Sequence, residues 1–239
     1  MTAFDDHVHW FEVDRLLTAV WLHTSESVPW IARATDEFLQ GMGRAFGIPR
    51  WNFPEGTEWS GGTADLERLV ESQVARDRDD NPRPKAGYNL GFLSPGDPVG
   101  AEVTIFAGDI GVGSRIPLHK ALVRPRPLRS AALTSEMVDA MCEAAIRAWQ
   151  PARVEFSSST VRELNNPQNN WWINPAWRLW LSDEVATIDH VTDGVTATRM
   201  HGGTMLSVPD ELTAEQVVET MGPTLRANEL TDIPHETAR

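Results

Sequence analysis

The chain has 239 residues, of which 41% are hydrophobic and 23% charged, which is typical of folded domains and excludes a largely disordered protein. Its formal net charge of −13 disfavours direct nucleic-acid binding, which needs a surplus of Lys and Arg, and favours a basic protein partner. The single cysteine excludes an internal disulfide framework. The sequence has neither a secretory leader nor a membrane-spanning apolar run, so we expect a cytoplasmic protein that enters no membrane.

The first third of the chain predicts one strand and two helices. Residues 16–23 are mostly apolar and form the strand candidate. Ser27 and Pro29 are suited to start a helix, and apolar side chains recur every three or four residues up to Phe46. An aromatic loop follows, and a second helix is predicted near residues 64–76.

The middle of the chain predicts a surface loop, three strands and a helix. The loop, residues 76–85, is polar and broken by prolines, and it carries Asp77, Asp79 and Asp80. Gly108–Ser114 lacks the Gly-Lys-Ser/Thr ending of a phosphate-binding loop and is interpreted as a turn. The predicted strands are residues 88–93, 102–106 and 118–123, and the predicted helix spans residues 134–148.

The last third predicts four strands, two helices and an asparagine-rich loop. The strands outnumber the helices along the chain and come in clusters without strict alternation. This arrangement predicts an α+β fold with a largely antiparallel sheet and helices packed on it. We expect a single domain over residues 1–239, with two sub-halves at about 1–130 and 131–230 as the alternative, and a polar tail at 231–239. The predicted strands are 152–156, 177–181, 195–200 and 204–208, and the predicted helices are 159–164 and 213–229.

Conventional catalytic chemistry has little support in the sequence. Cys142 falls on the apolar side of a helix, where an inert buried thiol is the default. Ser157–Thr160 lacks the Gly-x-Ser-x-Gly elbow and is better explained by helix capping. We therefore predict no catalytic residue, no cofactor and no enzymatic activity.

Metal binding has one candidate group of ligands, at the start of the chain. His7 and His9 would share one side of a strand, and Asp5 could join them. The fold would have to add a further ligand, such as His119 or His201. No metal site is predicted.

Four tryptophans lie within ten residues, at positions 171, 172, 177 and 180. Trp177 and Trp180 alternate with leucines at strand spacing, which predicts core positions. Trp171 and Trp172 stand between asparagines in a predicted loop, and tryptophan is enriched in binding hot spots, so both are candidate partner contacts. The alternative is that both rings pack beneath their own loop.

The second half of the chain resembles the immunity protein 52 family of bacterial polymorphic toxin systems. The resemblance rests on Trp149-Gln-Pro151 at a helix end, Trp177-Arg-Leu-Trp-Leu-Ser182, and Gly202-Gly-Thr-Met-Leu-Ser-Val208 before a terminal helix. The layout spans about residues 15–228. The chain departs from the family pattern at Ala176, where glycine is expected, and at Trp180, where tyrosine is usual.

The resemblance implies a non-enzymatic antidote that binds a cognate toxin, typically a nuclease of the restriction-endonuclease type, and occludes its active site. An acidic protein can occupy the basic cleft of a nuclease as a phosphate mimic. The predicted contacts are Trp171, Trp172, Asp77, Asp79 and Asp80. One alternative is that the acidity serves solubility only. Others are a structural protein of a phage or secretion system, which would self-assemble, and a hydrolytic enzyme whose site lacks a known motif.

Overall fold

One eight-stranded sheet forms the centre of the protein, and all of its described strand pairings are antiparallel. The computed structural model describes residues 15–97, 99–127, 133–167 and 169–235. Within them, five helices accompany the sheet, so the predicted α+β class is confirmed. In chain order the elements are β1 (Arg15–Val20), α1 (Val28–Phe46), α2 (Thr63–Ser72), β2 (Ala86–Ser94), β3 (Val99–Asp109), β4 (Lys120–Pro127), α3 (Ser135–Trp149), β5 (Arg153–Ser158), α4 (Ser159–Asn165), β6 (Arg178–Ser182), β7 (Thr196–Met200), β8 (Gly203–Ser207) and α5 (Ala214–Ala227).

The first strand of the chain lies in the middle of the sheet. The strand order is β2-β3-β4-β1-β5-β6-β8-β7. Leu17 of β1 is opposite Val123 of β4 on one side and Phe156 of β5 on the other. Strands from both predicted sub-halves are therefore neighbours in one sheet.

Helices α1 and α3 pack on one face of the sheet, called here the inner face. Leu17 and Phe156 point to this face, and both are fully buried. Trp21, directly after β1, stacks on Trp149 at the end of α3 with 4.6 Å between ring centroids. Aromatic pairs of this kind add to the stabilisation that burial itself provides.

The sequence of α1 explains why it is a helix and where it ends. Pro29 occupies its first turn, where the missing N–H costs no hydrogen bond. Gly47 ends the helix in the left-handed conformation, with φ of 69°, and its backbone N–H donates to Gly43. The predicted apolar stripe is buried against the core: Ile31, Ala34, Phe38, Met42 and Phe46.

The opposite, outer face is covered unevenly. Thr18, Glu155 and Ser157 alternate with the inner-face residues and line a cavity together with residues of α4, which places α4 on the outer face. Helices α4 and α5 contact each other. Across β2, β3 and β4 the outer face is more open: Phe106 is half-buried and Leu93 is exposed.

The segment after α5 is packed against the protein. Ile233 is fully buried, and its backbone N–H donates to the carbonyl oxygen of Trp171 at 3.0 Å. The first part of the predicted polar tail at 231–239 is therefore in contact with the rest of the protein at Ile233, while residues 236–239 lie outside the described residues.

No helix in the described part of the chain is both long enough and apolar enough to cross a membrane.

Candidate partner-binding surface

Trp171, predicted as a surface contact, lies inside the protein. Its side chain is fully buried, and its ring stacks on His235 with 4.1 Å between ring centroids. Its Nε1 donates a hydrogen bond to the carbonyl oxygen of Gly113 at 3.1 Å. Two backbone hydrogen bonds join the loop that carries Trp171 to residues 231–233. The ring offers no surface to a partner, and the alternative that it packs beneath its own loop describes it correctly.

The other three tryptophans of the cluster divide between surface and core. Trp172 is half-buried and pairs with Asp232 through an isolated antiparallel bridge, so it keeps some exposed area. Trp177 and Trp180 are buried, which confirms the predicted core positions. Their Nε1 atoms donate to the carbonyl oxygens of Leu212 and Met200, as buried indole groups require.

The three predicted aspartates lie in an exposed and well-structured loop. The Asp77 carboxylate accepts hydrogen bonds from the backbone N–H groups of Asn81 and Asp79, at 3.0 and 2.9 Å, and these lower the pKa of Asp77. Asp77 therefore shapes the loop. Asp80, which is exposed but lies 3.5 Å from Arg76, and Asp79 are the better candidates for contact. The loop is not acidic in sum, because four basic residues accompany the aspartates: Arg76, Arg78, Arg83 and Lys85.

The connection between β3 and β4 joins the predicted contact regions at one end of the sheet. The backbone N–H of Ile110 donates to Lys85 at 3.2 Å, next to the aspartate loop. The N–H of Asn170, next to the tryptophans, donates to Arg115 at 3.2 Å. The structure thus brings together two segments that are distant in the sequence, with residues 110–119 between them.

Residues 110–119 also expose three large apolar side chains. Ile110 is 60% exposed, Ile116 52% and Leu118 38%, and we call these three residues the apolar patch. Gly113 adopts a φ of 88°, and a Cβ atom there would lie 2.1 Å from the carbonyl oxygen of Ile116, so the turn requires glycine. Exposed apolar groups held on a fixed backbone are typical of interaction sites.

Sequence reasoning missed the apolar patch. It treated Gly108–Ser114 as a turn and residues 118–123 as a strand, which left Ile110 and Ile116 without a role. A signal was present, because isoleucine is uncommon in turns, where Gly, Pro, Asn, Asp and Ser dominate. The exposure itself depends on the fold and could not be predicted from this signal.

A buried carboxylate lies beside this end of the sheet. Glu26 accepts hydrogen bonds from Trp21 Nε1 at 2.6 Å and from the backbone N–H of Gly108 at 2.8 Å. Its Oε1 lies 3.0 Å from His23 Nδ1 and 3.2 Å from His119 Nδ1. Burial alone would raise the pKa of Glu26, but the two histidine rings outweigh it and hold the pKa well below its ordinary value.

The pairing of Glu26 with His23 resembles a catalytic dyad, but its geometry suits a structural role. His23 Nδ1 faces Glu26, and Nε2 lies 3.0 Å from the carbonyl oxygen of Trp149, so both ring nitrogens are occupied. A general base needs a nitrogen within reach of the substrate. The cluster instead ties the segment after β1 to β3 and to the end of α3.

The His23–Glu26 pair predicts a pH-dependent contribution to stability. Burial would lower the pKa of His23, but Glu26 and the Trp149 carbonyl outweigh it and raise that pKa above 6.5. The stabilisation that His23 adds to the folded state is fully present below pH 6.5 and is lost as the pH rises through the raised pKa. The stabilisation that Glu26 adds is fully present above pH 4.5 and is lost in acid. His23→Gln should therefore lower the free energy of unfolding most between pH 4.5 and pH 6.5. The loss should be about 0.2–1 kcal/mol, because the side chain is 37% exposed and solvent screens the ion pair.

Urea unfolding from about pH 5 to about pH 9 measures this difference. The same substitution at the exposed His190 is the control and should leave the pH profile unchanged. A loss of stability in His23→Gln that did not become smaller toward high pH would contradict an ion pair between protonated His23 and Glu26.

The remaining candidates for chemistry have structural surroundings. Burial, reinforced by Asp139, raises the pKa of Cys142 to about 12, so the thiol is not activated. Ser158 caps α4 by accepting from the N–H of Val161, and Ser157 donates to Pro175. Among the described residues, no group of three or more His, Cys, Asp or Glu could hold a metal ion. The candidate ligands Asp5, His7 and His9 lie outside the described residues.

No protein-family model and no curated protein matches the sequence. Among solved structures, a T6SS protein of Pseudomonas aeruginosa is similar over 90% of this chain and 73% of its own, with 11% identity and a TM-score of 0.48. A taurocyamine kinase of Schistosoma mansoni is similar over 95% of this chain and 33% of its own, with 12% identity and a TM-score of 0.28. Both scores are too low to carry an argument about fold or function.

Proposed function

We propose that this chain is an immunity protein that binds a cognate bacterial toxin domain, a basic nuclease, and neutralises it by covering its active site. The observation that carries the proposal is the exposure of the apolar patch, Ile110, Ile116 and Leu118. The patch lies on a connection that is hydrogen-bonded to both of the segments predicted to contact a partner. A desolvated apolar centre with a polar rim is the usual anatomy of a protein interface.

Charge supports the choice of partner. The net charge of −13 attracts basic proteins over long range and raises association rates. Asp79 and Asp80 are exposed in the loop whose Lys85 carbonyl accepts a hydrogen bond from Ile110, so these two carboxylates are available to a basic partner. The resemblance to immunity protein 52 points to the same class of partner.

The proposal is of a binding protein without catalytic activity. The perturbed carboxylate and histidine of the Glu26 cluster are used internally, and the Cys142 thiol is buried and protonated. Binding needs only a rigid complementary surface, and the hydrogen bonds accepted by the carbonyl oxygens of Lys85, Gly113 and Arg115 provide that rigidity for residues 110–119.

Co-expression with the toxin encoded next to its gene tests the proposal. We expect growth to be rescued and a stable complex of the two proteins to be recovered. Toxicity that persists at matched expression, or the absence of a complex, would overturn it. Self-assembly of the purified chain without toxin binding would instead favour a structural protein of a phage or secretion system.

Charge reversal at the aspartate loop should slow association with the toxin. We expect Asp79→Lys with Asp80→Lys to lower the on-rate by about 10-fold at low salt and to weaken its salt dependence, because the two substitutions together make the proposed contact loop more positive by four charges and repel a basic partner. Stopped-flow or surface-based kinetics at several salt concentrations measures both effects.

The control for this pair is Asp189→Lys with Asp193→Lys, which makes the same change in net charge at two exposed positions elsewhere on the chain. The comparison separates the effect of charge at the aspartate loop from the effect of the net charge of the whole chain. An equal effect of the two double variants would remove the aspartate loop from the interface.

A further inference from the structure

The sheet has two edge strands, β2 and β7, and they are treated differently. At β2, the backbone of Leu93 exchanges two hydrogen bonds with Asn52, and the N–H of Asn89 donates to Gln73, so short segments cover this edge. At β7, no backbone segment in the described parts of the chain pairs with the outer side of the strand. Residues 196–199 are exposed on both faces of the sheet. The function proposed above gives β7 no role.

The hairpin between β7 and β8 determines which backbone groups of β7 point outward. Residues 201–202 form a two-residue turn with φ of 49° and 72°, as in the type I′ turns of hairpins. Such a turn closes on a hydrogen-bonded pair, here Met200 with Gly203, and the two kinds of pair alternate from there. The N–H and C=O groups of Ala197 and Arg199 therefore point away from β8. Among the described residues, these groups have no hydrogen-bond partner.

The backbone of β7 is held in place although its side chains are exposed. The Trp180 ring crosses β8 at Gly203, where a Cβ atom would overlap it, and its Nε1 donates to Met200 at 3.1 Å. On the outer face, the Arg199 guanidinium donates to the Asp183 carboxylate at 2.7 Å. A strand that is already ordered loses little entropy when another strand pairs with it.

The sequence of β7 lacks the features that keep sheet edges apart. It contains neither proline nor lysine, and its single charge, Arg199, is paired with Asp183. Thr196 and Thr198 are β-branched and suit a paired strand. An edge of this kind pairs readily with another strand.

We propose that β7 pairs antiparallel with β7 of a second copy of this chain, across a two-fold axis at Thr198. In this register Ala197 exchanges both of its outward hydrogen bonds with Arg199 of the partner subunit, and the symmetric pair does the same. Every outward backbone group of these two residues then has a partner, and the pairing stays within β7.

The side chains of β7 fit a second copy in this register. Thr198 lies opposite Thr198 of the partner subunit, and cross-strand threonine pairs are favourable. The small Ala197 lies opposite the long Arg199 of the partner subunit, and the two Arg199 side chains are diagonal neighbours, which avoids a directly opposed pair of like charges. The contact uses the same edge on both copies, and β2 is covered, so the assembly closes at two chains.

Sedimentation equilibrium of the full chain without toxin tests the dimer, so its outcome is independent of the proposed function. Because β7 is short, we expect a weak dimer, which requires measurement up to about 0.5 mM. Each copy carries a net charge of −13, so the dimer should tighten as salt screens the repulsion. A chain that stays monomeric throughout, or a dimer that weakens with salt, would overturn the proposal; the second result is expected of an edge that binds basic segments.

Two substitutions at Ala197 provide a matched pair. Ala197→Pro removes an outward N–H and no hydrogen bond to β8, and should weaken dimerisation by at least about 10-fold. Ala197→Val keeps the N–H and should leave dimerisation unchanged. Equal dimerisation of the two variants would overturn the proposal, as would a dimer that is lost in Ile116→Asp and kept in Ala197→Pro, because it would then form through the apolar patch.

Thr198→Cys tests the register. The Cα atoms of a directly opposite, non-hydrogen-bonded pair lie about 4.5 Å apart, within the range of a disulfide, so mild oxidation should give a cross-linked dimer. Ala197→Cys is the control, because the two copies of residue 197 are diagonal neighbours more than about 7 Å apart. The native Cys142 is fully buried and does not compete. Equal cross-linking of the two variants, or cross-linking through Ala197→Cys alone, would overturn the proposed pairing.

Discussion

Aspartate in place of Ile116 should abolish tight binding to the toxin while the chain stays folded. About half of the Ile116 side chain is exposed, so the native structure loses little when it is replaced. In the complex the new carboxylate would be buried without a partner at the centre of the interface, which is strongly unfavourable. We expect the dissociation constant to rise by at least about 30-fold, and protection of growth to fail in parallel.

Val191→Asp is the matched control for this substitution. Val191 is 44% exposed and lies outside residues 110–119, so its replacement introduces the same charge without touching the apolar patch. Toxin titrations by calorimetry, together with thermal melting of each variant alone, separate binding from folding. Unchanged affinity for Ile116→Asp would show that the toxin binds elsewhere.

Alanine in place of Trp171 should destabilise the fold by about 3–5 kcal/mol, because a fully buried indole leaves a large cavity. That is a large fraction of a typical stability of about 5–15 kcal/mol. Urea unfolding measures the loss. The neighbouring Trp172→Ala is the control, and its smaller loss should reflect a ring that is only half-buried.

Trp171→Phe probes the link between this core residue and the apolar patch. It retains an aromatic ring but removes the N–H that donates to Gly113. We expect a smaller cost in stability than for alanine and a measurable loss of toxin affinity, because the turn that presents Ile116 is less well held. An unchanged affinity would show that Gly113 does not depend on this hydrogen bond.

Local elements were predictable from the sequence because they depend on neighbouring residues. The stripe of α1 and its end near Gly47 follow from helical periodicity and from the conformational freedom of glycine. The core positions of Trp177 and Trp180 follow from strand alternation.

Long-range contacts were not predictable in this way. Nothing near Trp171 in the sequence indicates that its indole reaches Gly113, and this contact decides whether the ring is surface or core. Glu155 alternates with apolar residues in a strand, a pattern that predicts a solvent-facing side chain. Because α4 covers that face, Glu155 is instead buried at the floor of a cavity.

The central position of β1 has a consequence for the synthesis of the protein. Both edges of β1 can be paired only after the ribosome has added Val123 and Phe156, the partners of Leu17 in β4 and β5. The nascent chain therefore carries an incompletely paired apolar strand through most of translation. At ordinary ribosome speeds this interval is on the order of ten seconds. Under the proposed function, a cell depends during that interval on antidote made earlier, which favours a standing pool of the finished protein.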